Sequence, residues 1–533
     1  MLIEERTKKL LDFDRVLAEL HPVTPFGQRY KKGIRCFEQK DKQLLEDELE
    51  RVWKVKELIG VQGSLFLEIK SLLRQVKDVS RSVERSMQGI SLTTVELFEL
   101  KNLGAIMKSL SESQLKLQWK LPVKYRVHEL FWLDELLDPE HTGIKTFYLY
   151  DSYSQELSRI RNEKQQLEKQ LDDSRKMLIK AIEEELSLPI RITGEIAVNK
   201  SNTQLIEKLR THPKLQPVNE TYVSTTFRLV SDENINNISM QLEKVKSEEA
   251  TEECRVLELL SAKIAAHGKE LLDNMNAIGE FDLLLAKAYM AIAHKAVKPV
   301  LTDNRSIIIS SGRHPVVESE LRKRGKSYKP ISVRLDKLVT LITGANMGGK
   351  TVSLKMIGLL TLMAHYGLLV PAEYMELPLF DFIFMSAGDE QSIDLGLSTF
   401  GAEMKGMKEM LLQTEKRGLV LVDELARGTN PHEGYAISCA IIEYLLKRSC
   451  LTVITTHYDG LVREDTKHLQ VNGLRNLSED MINSPQHIAE HMDYTLIEVE
   501  ANSDVPKDAL KISKMLGIPT EIINRAEEIM KEK

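Results

Sequence analysis

Eight consecutive residues in the C-terminal half have the spacing of a phosphate-binding loop. The segment reads GANMGGKT and matches G-x-x-x-x-G-K-[ST] at every fixed position. Its glycines let backbone N–H groups turn toward phosphate oxygens, and the helix-like segment that follows adds the positive end of its dipole. The lysine of this pattern reaches the β and γ phosphates, while the final hydroxyl binds magnesium. We therefore predict that ATP and Mg²⁺ bind at Gly344, Ala345, Asn346, Met347, Gly348, Gly349, Lys350 and Thr351.

A first apolar segment, residues 338–343, predicts a strand directly before the phosphate loop, and two carboxylates follow a second apolar segment. Residues 418–424 read GLVLVDE, which predicts a buried strand ending in Asp423 and Glu424. We expect Asp423 to hold magnesium through a water molecule and Glu424 to polarise the attacking water as general base. Acidic residues at a strand end are a weak signal alone. Here they stand 73 residues after Lys350 and before a further apolar strand, which makes the prediction strong.

The third apolar segment, LTVITTH, ends in His457. A lone histidine at a strand end is more often structural than functional. In this ordered set, however, we predict that His457 senses the γ phosphate or helps to place the water. In open α/β sheets, ligands bind at the carboxyl ends of the strands, where all three segments deliver their polar residues. The predicted catalytic residues are Lys350, Glu424 and His457.

The remaining segments are mostly helical in pattern. Apolar residues recur at helical spacing before residue 140, and no glycine or proline interrupts the stretch between Gly143 and Pro189. From Pro189 to Leu229 the pattern becomes strand-like, and a second uninterrupted helical stretch follows. We predict a multidomain protein with an N-terminal all-α core, long lever helices, a small tip domain and a C-terminal α/β P-loop ATPase domain. The predicted boundaries are 1–140 for the helical core, 141–188 for the first lever, 189–229 for the tip, 230–297 for the second lever and return, 298–495 for the ATPase domain and 505–531 for a helix-turn-helix.

Composition limits the functional classes. The 533 residues are 42% hydrophobic and 29% charged, as in globular proteins, and no apolar run is long enough for a bilayer span. We expect a cytoplasmic protein without membrane contact. The four cysteines show neither a disulfide framework nor metal-ligand spacing. The net charge of -6 leaves DNA binding open without supporting it.

These motifs together resemble the MutS family of ABC-type ATPases. GANMGGKT, DELARGTNPHEG and TTHY are similar to the family's nucleotide motifs, and GRHPVVE and GDEQSIDLGLSTF match further segments. The helix after the phosphate loop most resembles the paralogue that lacks the mismatch-reading domains. The resemblance implies a homodimer in which Gln391 lines the nucleotide site and Ser398 contacts the γ phosphate of the other subunit. It also implies that Arg427, Gly428 and Thr429 lie at the subunit interface, and that residues 508–531 form a dimerisation element unless they pack on their own subunit.

Departures from the family pattern bear on the substrate. Ala345 and Ala426 stand where the family usually has proline and glycine, although neither change removes a phosphate ligand, a metal ligand or the base. The chain starts with core-like helices, so we expect no mismatch-reading domain. Residues 66–68 spell the family's Phe-x-Glu wedge, but they lie in a helical pattern and are expected to pack. Residues 189–229 carry six Lys or Arg against three Asp or Glu, which favours a solvated surface over a phosphate-binding one.

Two functions remain open at this point. The first is a MutS-like ATPase whose dimeric clamp acts on DNA, in mismatch repair or recombination. The second is an ATP-driven factor that remodels a protein client, similar to the reactivating factors of cobalamin-dependent aminomutases. A purely structural coiled-coil protein is disfavoured, because it would need neither the phosphate loop nor the acidic pair and histidine.

Overall fold

The computed structural model describes most of the chain. The described residues are 3–532 except 145, 345–348, 388–398, 427, 459, 474–492, 501–509, 511–512 and 514–516. The chain divides into two units, each assembled from separated segments. The first unit comprises Met1–Arg74, Leu115–Arg126 and Ala277–Lys533, and the second comprises Gln75–Gln114 and Val127–Asn276. The predicted domains follow one another along the chain, and their boundaries stay predictions.

Helices predominate before residue 300, in agreement with the apolar periodicity of that region. The helices are α1 (Glu5–Leu10), α2 (Phe13–Ala18), α3 (Pro25–Lys32), α4 (Lys42–Val61), α5 (Gly63–Leu73), α6 (Ser80–Met87), α7 (Thr94–Leu115), α8 (Phe131–Leu137), α9 (Gln155–Leu186), α10 (Thr203–Arg210), α11 (Glu233–Ala266), α12 (Gly268–Ala293), α13 (Pro315–Lys323), α14 (Lys350–His365), α15 (Thr399–Leu411), α16 (Pro431–Leu445) and α17 (Thr520–Glu532). Within the described residues, none of these helices is long and apolar enough to cross a membrane.

Strands form one small sheet in the second unit and two sheets in the first. They are β1 (Glu195–Asn199), β2 (Leu215–Glu220), β3 (Ser224–Leu229), β4 (Val300–Leu301), β5 (Ile307–Gly312), β6 (Ile331–Leu335), β7 (Val339–Thr343), β8 (Tyr374–Leu377), β9 (Phe382–Ala387), β10 (Gly418–Asp423), β11 (Leu451–Thr455), β12 (Lys467–Gly473) and β13 (Asp493–Glu498). The strand orders are β1-β3-β2, β13-β12-β7-β11-β10-β9 and β4-β8-β5-β6.

Two long helices, α9 and α11, dominate the second unit. Each begins at a side-chain cap, because Ser154 accepts a hydrogen bond from the N–H of Leu157 and Asp232 accepts one from Ile235. They run antiparallel, since Arg161 near the start of α9 pairs with Glu249 in the middle of α11, whereas Ser174 further along α9 contacts Asn234 at the start of α11. The apolar seam between them contains Ile160, Leu167, Leu171, Ile235, Leu242 and Val245.

The β-rich insertion lies between these two helices in the chain. Strand β3 pairs antiparallel with β1 and with β2. Thr225 and Phe227 are fully buried on one face of β3, in agreement with the strand-like pattern of this segment. Val223 precedes the strand and is exposed. A separate apolar cluster around Phe227 forms the core of this insertion.

A six-stranded sheet organises the first unit. Strands β12, β7, β11, β10 and β9 are parallel, and β13 adds an antiparallel edge. The three predicted apolar strands are therefore confirmed as neighbours, with β11 between β7 and β10. They read as continuous apolar runs because both faces are covered, with Leu419 and Leu421 in one core and Val420 and Val422 in another.

The beginning of the chain contributes to the core beside this sheet. Leu11, Phe13, Val16 and Leu20 are fully buried together with the apolar residues of α14 and the sheet. The sequence analysis placed this segment with the helical core and did not anticipate that contact. All four cysteines are free thiols.

Candidate nucleotide site

The phosphate-loop motif leaves the carboxyl end of β7 and leads into α14. Gly344 and Gly349 have φ angles of 129° and 82°, in the region that side chains rarely adopt. A Cβ atom on Gly349 would also lie 2.9 Å from Cδ1 of Tyr494. Both glycines are therefore required by the path of the backbone. The four predicted residues between them, Ala345, Asn346, Met347 and Gly348, lie outside the described residues.

Lys350 is the first residue of α14, and its side chain turns back toward the loop. Its Nζ donates to the carbonyl of Gly344 at 2.6 Å and lies 3.1 Å from Nε2 of His457. Burial lowers the pKa of Lys350 to about 8, although the negative charges of Glu424 and Asp423 oppose this effect. An anion bound next to Nζ would restore the charged form. The environment of Lys350 therefore fits a phosphate group.

The predicted magnesium ligands lie side by side at the start of α14. The hydroxyl of Thr351 donates to Oδ2 of Asp423 at 2.8 Å, and the hydroxyl of Thr455 donates to Oδ1 of the same carboxylate at 2.6 Å. Hydroxyl and carboxylate oxygens are the hard donors that Mg²⁺ prefers. Because Mg²⁺ usually keeps several waters and takes few protein ligands, Thr351 and Asp423 fit the group that the motif implies.

Glu424 adopts an unusual backbone conformation directly after β10. Its φ is 59°, in the left-handed region, where a residue other than glycine pays about 1–2 kcal/mol. Its N–H group is held by Oγ1 of Thr455 at 2.9 Å and by the Thr455 carbonyl at 3.2 Å. Strain of this kind persists where the surroundings enforce it, often at functional sites. Thr455 thus fixes both the backbone of Glu424 and the carboxylate of Asp423.

His457 connects the lysine with the predicted base. Its Nε2 lies 2.6 Å from Oε1 of Glu424, and its Nδ1 lies 3.4 Å from Nζ of Lys350. Because a carboxylate only accepts, this short contact is a hydrogen bond from Nε2–H to Glu424, while Nζ of Lys350 lies beside the ring, 3.1 Å from Nε2 and 3.4 Å from Nδ1. The structure therefore brings together Lys350, Thr351, Asp423, Glu424 and His457, as the strand-end argument anticipated.

The residues implied at a subunit interface are described only in part. Gln391, Ser398 and Arg427 lie outside the described residues. A Cβ on Gly428 would lie 3.1 Å from Phe400, and Thr429 donates to Glu433 at 3.3 Å. In the implied dimerisation element, the second helix is α17, whereas most of the first helix is outside the described residues. The exposed apolar side chains of α17 include Ile522, Ile529 and Met530.

Several residues of the site escaped the sequence analysis. Thr455 lies within the predicted strand LTVITTH, but the sequence does not predict that it bonds both to Asp423 and to the N–H of Glu424. Ala426 has a φ of 58°, which explains why the family usually has glycine there, and its N–H donates to the half-buried carboxylate of Glu403 at 2.7 Å. Burial raises the pKa of Glu403. Tyr494 packs on Gly349, and no sequence signal pointed to it or to Glu403.

Comparisons with known proteins show what the chain is similar to. The family model described as MutS domain V matches residues 340–533. An endonuclease MutS2 from Shouchella clausii is 32% identical over 481 residues, which cover 86% of this chain and 57% of the relative. Similar proteins from Caldanaerobacter subterraneus and Staphylococcus saprophyticus are 27% and 26% identical and match 99% of the chain.

These relatives are longer, since the chain spans 57%, 64% and 66% of their respective lengths. The predicted resemblance, including its likeness to the paralogue without the mismatch-reading domains, is confirmed. The chain is thus a relative of the MutS2 proteins and carries a MutS domain V over residues 340–533.

Proposed function

We propose that this chain binds ATP with Mg²⁺ and hydrolyses it at the site formed by the ends of β7, β10 and β11. One observation carries the proposal. Side chains at the ends of β10 and β11 and at the start of α14, together with the N–H of Glu424, form a continuous chain of contacts between 2.6 and 3.4 Å. A buried lysine, two carboxylates and a histidine at the same strand edge favour a functional site over a purely structural cluster.

Each residue has a distinct task in the proposed reaction. Lys350 offers a partly buried positive charge to the phosphates, and Thr351 and Asp423 would hold Mg²⁺. When bound, the ion neutralises charge on the phosphate oxygens. Glu424 accepts a proton from the attacking water. His457 donates to Glu424, which orients that carboxylate, and stands close enough to Lys350 to respond to a phosphate there.

The surrounding architecture is also part of the proposal. We assign residues 298–495 to a P-loop ATPase domain of the ABC type, with α9 and α11 as levers carrying the small β-rich tip. We further propose a homodimer in which Ser398 and the segment 427–429 complete the partner's site, and residues 505–531 assist dimerisation. These assignments rest on the family resemblance together with the order of the described elements.

DNA is the proposed substrate of the ATP-driven movement. The relatives are named endonuclease MutS2, a name that implies action on nucleic acid. This favours a DNA-linked role over the remodelling of an aminomutase, for which the comparisons offer no support. The tip, residues 189–229, carries only a small excess of positive charge, so this charge does not identify the tip as the DNA contact.

The ATPase proposal is tested with the variant Glu424→Gln. Because the amide cannot accept the proton, we expect ATP to remain bound while kcat falls about 100-fold or more. The exposed Glu464→Gln is the matched control and should keep the turnover of the unmodified protein. Wild-type turnover in Glu424→Gln would refute the base assignment. Failure of the unmodified protein to bind ATP with Mg²⁺ would refute the whole proposal.

The DNA proposal needs a separate measurement. We expect duplex or branched DNA to stimulate ATP hydrolysis at low salt, and the effect to weaken steeply as salt rises because phosphate contacts release counterions. If plasmid, duplex and junction DNA all leave the rate of ATP hydrolysis unchanged, DNA is excluded as the substrate. The ATPase assignment would remain intact.

A further inference from the structure

Helix α15 carries an acidic residue on its buried face. Glu403, Met407 and Met410 are spaced at i, i+4 and i+7, which places them on one side of the helix. Met407 and Met410 are each 1% exposed and share an apolar cluster with Leu425. Glu403 is half-buried near the start of the helix. Because a polar group that leaves water needs a hydrogen bond, the carboxylate of Glu403 requires a donor here.

The donor belongs to the turn that follows the predicted base. The N–H of Ala426 donates to Oε1 of Glu403 at 2.7 Å. Ala426 has a φ of 58° and Glu424 has a φ of 59°, so both adopt the left-handed conformation that costs free energy for residues with a Cβ atom. Leu425 between them is 2% exposed and anchors the turn in the apolar cluster. The turn is therefore strained on both sides of a buried side chain.

Hydrogen bonds from other elements hold each of the two strained residues. Thr455 holds Glu424, since its Oγ1 accepts from the N–H of Glu424 at 2.9 Å. Glu403 does the same for Ala426 from α15. The carbonyl of Ala426 also accepts from the Tyr458 hydroxyl, but at 3.4 Å this bond is weaker. Without Glu403, Ala426 would keep its strain and lose its shorter hydrogen bond, which favours a change of the turn to a commoner conformation.

Helix α16 limits the turn on the carbonyl side of Ala426. A Cβ atom on Gly434 would lie 2.8 Å from that carbonyl oxygen, so the backbone of α16 approaches the turn closely. The N–H of Ala426 is held from α15, where the buried Met407 and Met410 fix the helix in the core. The turn after Glu424 is thus supported by two helices, and such support keeps a reacting group in its productive geometry.

We propose that Glu403 is a positioning residue for the predicted base: by holding the N–H of Ala426, it fixes the turn that directs the carboxylate of Glu424 toward the attacking water. This inference rests on the proposed ATP hydrolysis. Glu403 acts through the backbone and has no task in binding the nucleotide, which is assigned to Lys350 and Thr351 on α14. The competing explanation is a purely structural role, in which the loss of Glu403 lowers stability but leaves the kcat of the folded protein unchanged.

The experiment is steady-state ATP hydrolysis by Glu403→Met, Glu403→Ala and Glu403→Gln. Methionine and alanine suit a helix but offer no oxygen acceptor, so kcat should fall about tenfold or more in both. Glutamine retains a carbonyl oxygen at the same reach and should keep kcat within about threefold. KM should change less than about twofold in all three, because the phosphate and magnesium groups are unaltered. The exposed Glu409→Met, on the same helix, is the matched control and should keep the kcat of the unmodified protein.

Amide hydrogen exchange supplies a readout that does not depend on hydrolysis. The N–H of Ala426 should exchange about tenfold faster or more in Glu403→Met than in the unmodified protein, and at the unmodified rate in Glu409→Met. Unchanged exchange at Ala426, or normal kcat in both Glu403→Met and Glu403→Ala, would overturn the inference. An equal loss of kcat in Glu403→Gln would also overturn it, because glutamine keeps the acceptor. Failure of the proposed function is distinct, since the unmodified protein would then not hydrolyse ATP.

Discussion

Thr455 is the residue whose replacement tests the geometry of the site most directly. Its hydroxyl donates to Asp423 and accepts from the N–H of Glu424, so one side chain holds the predicted metal ligand and the predicted base. We expect Thr455→Val to lower kcat for ATP hydrolysis, although neither carboxylate is itself changed. Thr455 does not touch the reacting atoms and is a positioning residue.

The expected loss of kcat in Thr455→Val follows from the burial of Thr455 and from the hydrogen bonds that valine cannot make. Thr455 is 0% exposed, and valine has nearly the same shape, so cavity formation contributes little. Removing a hydrogen bond to the half-buried carboxylate of Asp423 costs about 1.5–3 kcal/mol. The N–H of Glu424 keeps only its 3.2 Å bond to the Thr455 carbonyl. Since each 1.4 kcal/mol corresponds to a factor of ten, kcat should fall about 10- to 100-fold.

The assay is steady-state ATP hydrolysis by the unmodified protein, Thr455→Val and Thr455→Ser. Serine retains the hydroxyl, so it should restore kcat to within about threefold, and KM should change less than kcat in both variants. The matched control is Thr452→Val on the same strand. Thr452 is equally buried, but its hydroxyl has no hydrogen-bond partner within the described structure, so this change should leave kcat unaltered. Normal kcat in Thr455→Val, or an equal loss in Thr452→Val, would refute the reasoning.

Two predictions concern stability. Lys287→Met removes the closest cation of Glu48, while Lys124 at 3.6 Å and Arg51 at 3.8 Å remain. We expect the free energy of unfolding in urea to fall by about 1–3 kcal/mol, whereas the more exposed Lys54→Met should change it by less than about 0.5 kcal/mol. A loss of stability in Lys287→Met no larger than that in Lys54→Met would contradict this prediction. Burial lowers the pKa of His365 to about 4, and its Nε2 accepts from the N–H of Phe380. Because only the unfolded chain takes up a proton there between pH 6.5 and 4, we expect stability to be complete above pH 6.5 and to fall by about 3 kcal/mol as the pH drops to 4. Urea titrations across this range should show that the free energy of unfolding depends less on pH in His365→Gln than in the unmodified protein. The same pH dependence in both would contradict the assignment of this effect to His365.

The sequence determined the parts of this protein that depend on short-range pattern. The spacing of glycines, lysine and threonine in the phosphate-loop motif identified the ligand class, because backbone turns and helix starts are local properties. Continuous apolar runs identified β7, β10 and β11, since a parallel strand is buried on both faces. Polar residues at the ends of parallel strands must meet at one edge, which is why Asp423, Glu424 and His457 could be grouped without a structure.

The tertiary structure alone decided the contacts between segments far apart in the chain. These include the approach of Tyr494 to Gly349, the bond between Glu403 and the N–H of Ala426, and the burial of Leu11 beside the central sheet. No periodicity or spacing encodes such pairs, because they depend on which elements pack together and on the register between them. The left-handed backbone of Glu424 has the same origin, since the strand that supplies Thr455 holds it in place.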